Sequence, residues 1–120
     1  MPPGVVPLRL RAISQSVPVA QAVQQYALQL ILNTHPEIET SPAVSREYLR
    51  FGASPRAAQA LISAARVRAL SEGRFNVAFE DIKALAKPAL RHRVALNFEG
   101  MAQGRTADDI IDELLKDGAK

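Results

Sequence analysis

Residues 51–57, with the sequence FGASPRA, combine a turn, a helix start and a positive charge. Gly52 can adopt backbone angles that other residues avoid, Ser54 is a favourable N-cap, and Pro55 suits the first helical position. Arg56 then lies in the first turn, at the positive end of the helix dipole. A cation there is either solvated, as an ordinary surface arginine, or directed at an anion. Helix N-termini and arginine both bind phosphate well, so this segment is a candidate phosphate site.

A second basic cluster consists of Arg91, His92 and Arg93. At helical spacing, Leu90 and Val94 would face the interior, with the two arginines flanking that face and the histidine pointing away. Arg91 and Arg93 are therefore candidate interface residues for acidic groups of a partner or for phosphate. The alternative is a solvated face whose side-chain stems cover apolar surface.

The remaining polar residues do not form a catalytic or metal-binding set. The sequence has neither the GxxxxGK[ST] phosphate loop nor the GxSxG nucleophile elbow. His35 and His92 lack metal-pair spacing, and we interpret His35 as a solvated residue at a helix end. The acids of the last helix are expected to form a solvated face, because adjacent helical positions do not converge; they are Asp108, Asp109, Asp112 and Glu113.

Other charged and aromatic side chains are assigned ordinary roles. We expect Arg66, Arg68 and Arg74 to add solvated charge. The six aromatic residues are expected to pack in the core, with Phe51 and Phe79 anchoring helix entries. No alternation of basic and aromatic residues indicates stacking on single-stranded nucleic acid.

Composition favours one small domain. The chain has 120 residues, of which 48% are apolar, enough for a modest core. It has no cysteine, which rules out disulfides and thiol chemistry and fits a reducing, cytoplasmic compartment. No apolar run reaches the length of about 18 residues that a membrane span needs. The first seven residues lack the order of a signal peptide, and we interpret them as a leader.

Charge is unevenly distributed along the chain. The net charge is +3, but residues 106–120 hold five acids against two lysines, so the remainder carries +6. A basic body of this kind suits nucleotide phosphates, nucleic acid or an acidic protein face. The excess is too small to favour nucleic acid by itself.

The apolar pattern that must position these residues is helical almost throughout. We predict helices over residues 18–33, 55–72, 79–86, 88–97 and 107–116, with short helical segments over 8–16 and 45–49. Gly73 should end the longest helix, Pro88 should interrupt another, and Thr106 with Asp109 forms a capping-box pattern before the last. With no convincing strand, the sequence predicts one all-α domain, a small bundle of four to five helices.

Three segments together resemble the C-terminal lid of the MoxR family of AAA+ ATPases. They are YLRFGASPRA at 48–57, GRFNV at 73–77 followed by EDI at 80–82, and ALRHR at 89–93. The order and spacing agree over about residues 17–116, and the lid of the magnesium chelatase ATPase subunit is the nearest alternative. The resemblance implies a leader over 1–16, a lid over 17–117 and a tail over 118–120.

In that family the lid follows an α/β core that carries the phosphate loop and the hydrolysis machinery. The resemblance implies that the lid closes over ATP, with Mg²⁺ held by the core. It identifies Arg56 as the sensor 2 arginine that reaches the terminal phosphates, with Gly52, Ser54 and Pro55 forming its loop and helix start. Residues 16–18 would lie near the hinge. These 120 residues include no such core, so we expect no ATPase activity from them alone.

The resemblance also implies partners: the core of the same polypeptide, neighbouring subunits of a ring, and client proteins such as those with von Willebrand factor A domains. The implied function is chaperone-like remodelling driven by nucleotide state. The alternative is a free-standing basic helical module that binds DNA or an acidic protein. It would use Arg91, Arg93 and three arginines of the middle region, which are Arg66, Arg68 and Arg74.

Overall fold

A computed structural model describes residues 16–118 of the chain. Six helices and two short strands lie in this range. The elements are α1 (Gln21–Leu32), α2 (Ala43–Tyr48), β1 (Leu49–Phe51), α3 (Pro55–Ser71), α4 (Phe79–Leu90), β2 (Ala95–Leu96), α5 (Phe98–Ala102) and α6 (Ala107–Gly118). The predicted helical fold class is confirmed. The predicted helix over 8–16 and most of the predicted leader and tail lie outside the described residues.

Helix α1 forms where the apolar stripe predicts it, but it starts later than Pro18. The chain enters in an extended conformation, and the Val77 N–H donates to the Pro18 carbonyl at 3.2 Å, beside a parallel bridge between Val19 and Val77. Helical structure then begins at Gln21. Its buried face consists of Val23, Ala27, Leu30 and Ile31.

Helix α3 is the longest element and packs against both α1 and α4. Small residues dominate its buried face, so neighbouring backbones can approach closely; they are Ala57, Ala58, Ala65 and Ala69, with Leu61 between them. Gly73 follows at φ 75°, a conformation that favours glycine. The predicted stop is therefore confirmed.

The predicted interruption at Pro88 is wrong. Helix α4 runs through it to Leu90, with Pro88 in its last turn. The ring removes one backbone bond, the one that would reach the carbonyl of Ala84, and both residues are exposed. Since the helix ends two residues later, little further structure depends on that bond.

The predicted helix over 88–97, and the expectation that no strands form, are also wrong. After a turn at 91–93 the chain forms β2, which pairs antiparallel with β1 through Leu49–Leu96 and Phe51–Ala95. The Asn97 N–H extends this pairing by donating to the Tyr48 carbonyl at 2.9 Å. The two strands span five residues in total, too short for a period-two pattern to show.

The C-terminal part follows the prediction more closely. The Thr106 hydroxyl accepts the Asp109 N–H at 3.1 Å, as the capping pattern indicated, and α6 buries Ile110, Ile111 and Leu114. The segment 98–105, where no helix is predicted, contains the short helix α5. The Asn97 side chain caps it by accepting the Gly100 N–H at 2.8 Å.

Most aromatic side chains lie outside the core, contrary to expectation. Phe51 is 53% exposed and Phe79 is 40% exposed, so neither anchors a helix entry in the interior. Phe79 contacts Tyr26 edge to face, with ring centroids 5.4 Å apart, and Phe75 and Phe98 are exposed. The core is built from Ala, Val, Leu and Ile. Over residues 16–118 no helix is long and apolar enough to span a membrane.

Candidate functional site

Arg56 is the second residue of α3, and its side chain is exposed. Within the part of the chain that the structure describes, it makes no ion pair and no side-chain hydrogen bond. Several other arginines of this small domain are held by carboxylates, as described below. The guanidinium of Arg56 is therefore available to a group outside the described chain.

The N-terminus that carries Arg56 has no side-chain cap. Ser54 occupies the N-cap position in an extended conformation, but its hydroxyl accepts no capping hydrogen bond, which corrects its predicted role. Pro55 occupies the first turn, as predicted, and no acid lies there. A cation beside an uncapped helix N-terminus concentrates positive potential, which suits an anion.

Gly52 is needed for space. Its φ is not positive, so the predicted reason, unusual backbone angles, is wrong. A Cβ atom at this position would collide with the backbone carbonyl of Thr34 and would come within 2.5 Å of the Thr34 hydroxyl oxygen. Gly52 therefore lets the loop before α3 lie directly against the end of α1.

Thr34 fastens that loop from one side. Its side chain is fully buried, and its hydroxyl donates to the Ile31 carbonyl at 2.6 Å. The same oxygen accepts the Ala53 N–H at 3.0 Å. This network could not be identified from the sequence, because it joins residues 19 positions apart.

His35 fastens the loop from the other side, so its predicted role as a solvated residue is wrong. Its Nε2 lies 2.7 Å from the Ala53 carbonyl oxygen, and its Nδ1 lies 2.8 Å from a Glu37 carboxylate oxygen. A backbone hydrogen bond and then the His35 side chain lower the pKa of Glu37, which favours its ionised form. With Thr34, both backbone polar groups of Ala53 are engaged by residues that follow α1 directly.

The other end of α3 carries a buried carboxylate cluster that sequence reasoning missed. Asp81 is fully buried and receives Arg68 at 2.5 Å and Arg74 at 2.6 and 2.8 Å. It also accepts the Ala78 N–H at 2.8 Å. The Asp81 side chain therefore caps the start of α4, because the N-cap residue, Ala78, has no polar side chain. Hydrogen bonds from Arg74 above all hold the pKa of Asp81 far below its usual range. Arg68 and Arg74 are thus bound, not solvated as predicted.

The candidate interface residues Arg91 and Arg93 are exposed but already engaged. Arg91 forms a two-pronged ion pair with Asp108, at 3.0 and 2.9 Å. Arg93 donates to the Ala89 carbonyl at 2.5 Å, at the end of α4. Leu90 and Val94 are buried and His92 is exposed, as the spacing predicted.

The acids of α6 pair with bases of other segments as well as facing solvent. Lys87 lies 3.2 Å from Asp112, and Arg105 lies 2.9 Å from both Asp109 and Glu113. Arg105 also stacks over the Tyr48 ring, 4.7 Å from its centroid, which ties α6 to the region of α2. Across residues 16–118 no group of three His, Asp or Glu side chains is arranged to hold a metal ion.

Comparison with known proteins gives matches to ATPase lids. A family model described as the AAA lid domain matches residues 42–114. The chain is 30% identical to Chaperone MoxR1 of Mycobacterium tuberculosis and 35% identical to Protein MoxR of Methylorubrum extorquens, over 91% and 88% of its length.

A crystal structure of a protein from Cytophaga hutchinsonii that was assigned as an ATPase superposes with a TM-score of 0.85 at 32% identity, covering 91% of this chain. The chain spans 29% and 31% of the two curated relatives and 33% of the crystallised one.

Proposed function

Because this chain belongs to the AAA lid domain family, we propose that it is the lid of a MoxR-type ATPase and that Arg56 senses the γ-phosphate of ATP. The observation that carries the proposal is the state of Arg56: exposed, without a partner in the described chain, and fixed at an uncapped helix start. Similarity to the MoxR proteins and to the crystallised protein supports the setting.

The chemistry follows from charge and geometry. A guanidinium binds phosphate oxygens through charge-assisted, often paired, hydrogen bonds. Such a contact exists only while the terminal phosphate is present, so ATP hydrolysis would release it. The lid would then change its angle to the core, a hinge-type switch in which the loop of Gly52, Ser54 and Pro55 carries the sensor.

The other components of the ATPase would come from other protein segments. The α/β core of the same polypeptide would bind ATP and hold Mg²⁺. Neighbouring subunits of a ring would transmit the lid motion, and client proteins, including those with von Willebrand factor A domains, would be remodelled. Action in the cytoplasm fits the absence of cysteine. Hydrolysis would require the core as well as this chain.

The structure offers little to a DNA-binding alternative. Of the five arginines that such a module would use, Arg68, Arg74 and Arg91 are already bound to carboxylates. Releasing them for DNA phosphates would break existing ion pairs. Arg66 and Arg93 make no ion pair within residues 16–118, but Arg66 is only partly exposed and its Nε is buried. Two cations would give only a small counterion-release term.

The test is Arg56→Ala in the full polypeptide that carries this lid. We expect ATP turnover at saturating ATP to fall about 100-fold, the usual effect of removing one preorganised contact to developing phosphate charge. Arg50→Ala is the matched control, since Arg50 is also exposed and makes no ion pair within residues 16–118 but lies in β1. Arg50→Ala should leave turnover within about twofold. Unchanged turnover in Arg56→Ala would refute the sensor role.

A further inference from the structure

The ring of His35 lies between two oxygen atoms. One belongs to the Ala53 carbonyl, 2.7 Å from Nε2, and the other to the Glu37 carboxylate, 2.8 Å from Nδ1. A carbonyl oxygen and an ionised carboxylate can only accept hydrogen bonds. Both contacts are therefore hydrogen bonds only when both ring nitrogens carry protons, that is, in the imidazolium form.

One charged group, the Glu37 carboxylate, contacts the ring. The His35 side chain is 22% exposed and that of Glu37 is 65% exposed, so the carboxylate faces the ring from the solvent side. The backbone of His35 is fixed separately, because the Ser41 hydroxyl donates to its carbonyl at 2.7 Å. Within residues 16–118 no other titratable side chain forms a hydrogen bond or ion pair with the ring.

The Ala53 carbonyl belongs to the peptide group that joins Ala53 to Ser54, the last residue before α3. Pro55 follows, and its own pyrrolidine ring fixes its φ. The orientation of the peptide group between Ala53 and Ser54 therefore largely sets where the helix starts. Gly52 and Thr34 hold the other side of Ala53. The bond from His35 thus adds a constraint on the helix start that carries Arg56, beside the packing of the buried Ala57.

We propose that His35 is a positioning residue for Arg56: its protonated ring, held by Glu37, binds the Ala53 carbonyl and fixes the helix start that carries the sensor. This inference rests on the sensor role proposed above. A neutral ring has one N–H for two acceptors, so deprotonation loosens the latch formed by Glu37, His35 and Ala53. Nucleotide sensing then weakens as the pH rises.

The first experiment examines the latch without reference to ATP. Nitrogen-15 NMR of the 120-residue chain, recorded over the range from about pH 5 to pH 8 in which histidine side chains change charge, reports the protons on each ring nitrogen. We expect Glu37→Gln to reduce the ratio of doubly to singly protonated His35 by about a factor of two, as for an exposed ion pair. His92, exposed and without an ion pair in the described range, is the internal reference and should not change.

Carbon-13 and nitrogen-15 spectra of the same samples must show the Ala53 carbonyl and the Ser54 amide shifting with the protonation of His35. If the ratio is the same in both proteins, or if the two backbone signals do not follow the ring, the latch is refuted. Glu37 is exposed, so its substitution is not expected to unfold the chain. The result is independent of whether Arg56 touches phosphate.

The second experiment uses the full polypeptide and His35→Gln. The glutamine amide can still donate to Ala53 but does not titrate. We expect the turnover of the unaltered protein, divided by that of His35→Gln, to fall severalfold between about pH 6 and pH 8, because misplacing a contact group by a fraction of an ångström slows turnover. A constant ratio would refute the positioning role, whereas failure of the Arg56→Ala test alone would refute only the sensor.

Discussion

Helix α3 carries an arginine near each end, and the two have opposite surroundings. Arg68, in the last turn, donates to the buried Asp81, while Arg56, in the first turn, is exposed and makes no ion pair within residues 16–118. The helix dipole stabilises a cation at the C-terminus and destabilises one at the N-terminus. Local energetics therefore explain Arg68 and leave Arg56 unexplained.

The difference separates a structural arginine from a candidate functional one. The Asp81 carboxylate accepts four hydrogen bonds within the domain, from Arg68, Arg74 and the Ala78 N–H. The start of α3 is also held by contacts, through Thr34, His35 and Gly52, but Arg56 has no partner within residues 16–118. A binding contact requires a charged group that is held rigidly in place and has no partner within its own domain.

We expect the largest effect on stability at the C-terminal end of α3, where Arg68 is bound to Asp81. Asp81→Ala removes the buried acceptor shared by Arg68 and Arg74, which keep only the exposed Glu72 in common, and it removes the cap of α4. We therefore expect the free energy of unfolding to fall by about 3 kcal/mol. Urea denaturation at neutral pH measures this. The folded pKa of Asp81 is lowered, so its contribution is present above about pH 4 and is lost as the pH falls further. The variant should therefore lose less stability than the unaltered chain between about pH 5 and pH 3.

Asp109→Ala is the control for that change. Asp109 pairs with Arg105 at the surface, and its side chain is 51% exposed. Its loss should cost less than about 1 kcal/mol. Equal effects of the two substitutions would contradict the distinction between the bound cluster and a surface pair.

Sequence patterns predicted the local features and missed the ones that join distant segments. The predicted helices that form as α1, α3 and α6, and the stop at Gly73, depend on residues within a few positions of one another, and they are confirmed. The pairing of β1 with β2 joins residues more than 40 positions apart, and five residues of strand give no usable pattern. Pro88 failed as a signal because a proline one turn from a helix end removes only one bond.

The candidate site divides in the same way. Arg56 and Pro55 were located from their neighbours in sequence. The reasons for Gly52, His35 and Asp81 lie in contacts to other segments, so their predicted roles were wrong or missing. One signal for Asp81 was present: an acid in the first turn of a helix that has no N-cap side chain, as at Ala78.

We expect an intermediate effect on stability at Gly52, which lets the loop before α3 lie against the end of α1. In Gly52→Ala the new methyl group meets the Thr34 backbone, which cannot move without shifting α1, so we expect a loss of about 2 kcal/mol. Gly73→Ala is the matched control, because its added Cβ meets open space and only φ 75° opposes it, at about 1 kcal/mol. Thermal unfolding of both variants compares them. If Gly52→Ala leaves the thermal stability unchanged, the loop does not pack closely against Thr34.

The smallest expected effect is the one that most sharply separates the two ends. Arg56→Glu exchanges a cation for an anion in the first turn of α3, where the dipole favours negative charge, so the isolated chain should gain about 0.5 kcal/mol in stability. In the full polypeptide the same change places a carboxylate against the triphosphate and should abolish turnover. Urea denaturation of the chain and an ATPase assay of the full polypeptide measure the two quantities. A gain in stability together with a loss of function means that Arg56 serves the function at a cost to the stability of α3. A loss of stability above about 0.5 kcal/mol would instead mean that Arg56 has a structural partner, and the two ends of α3 would no longer differ in kind.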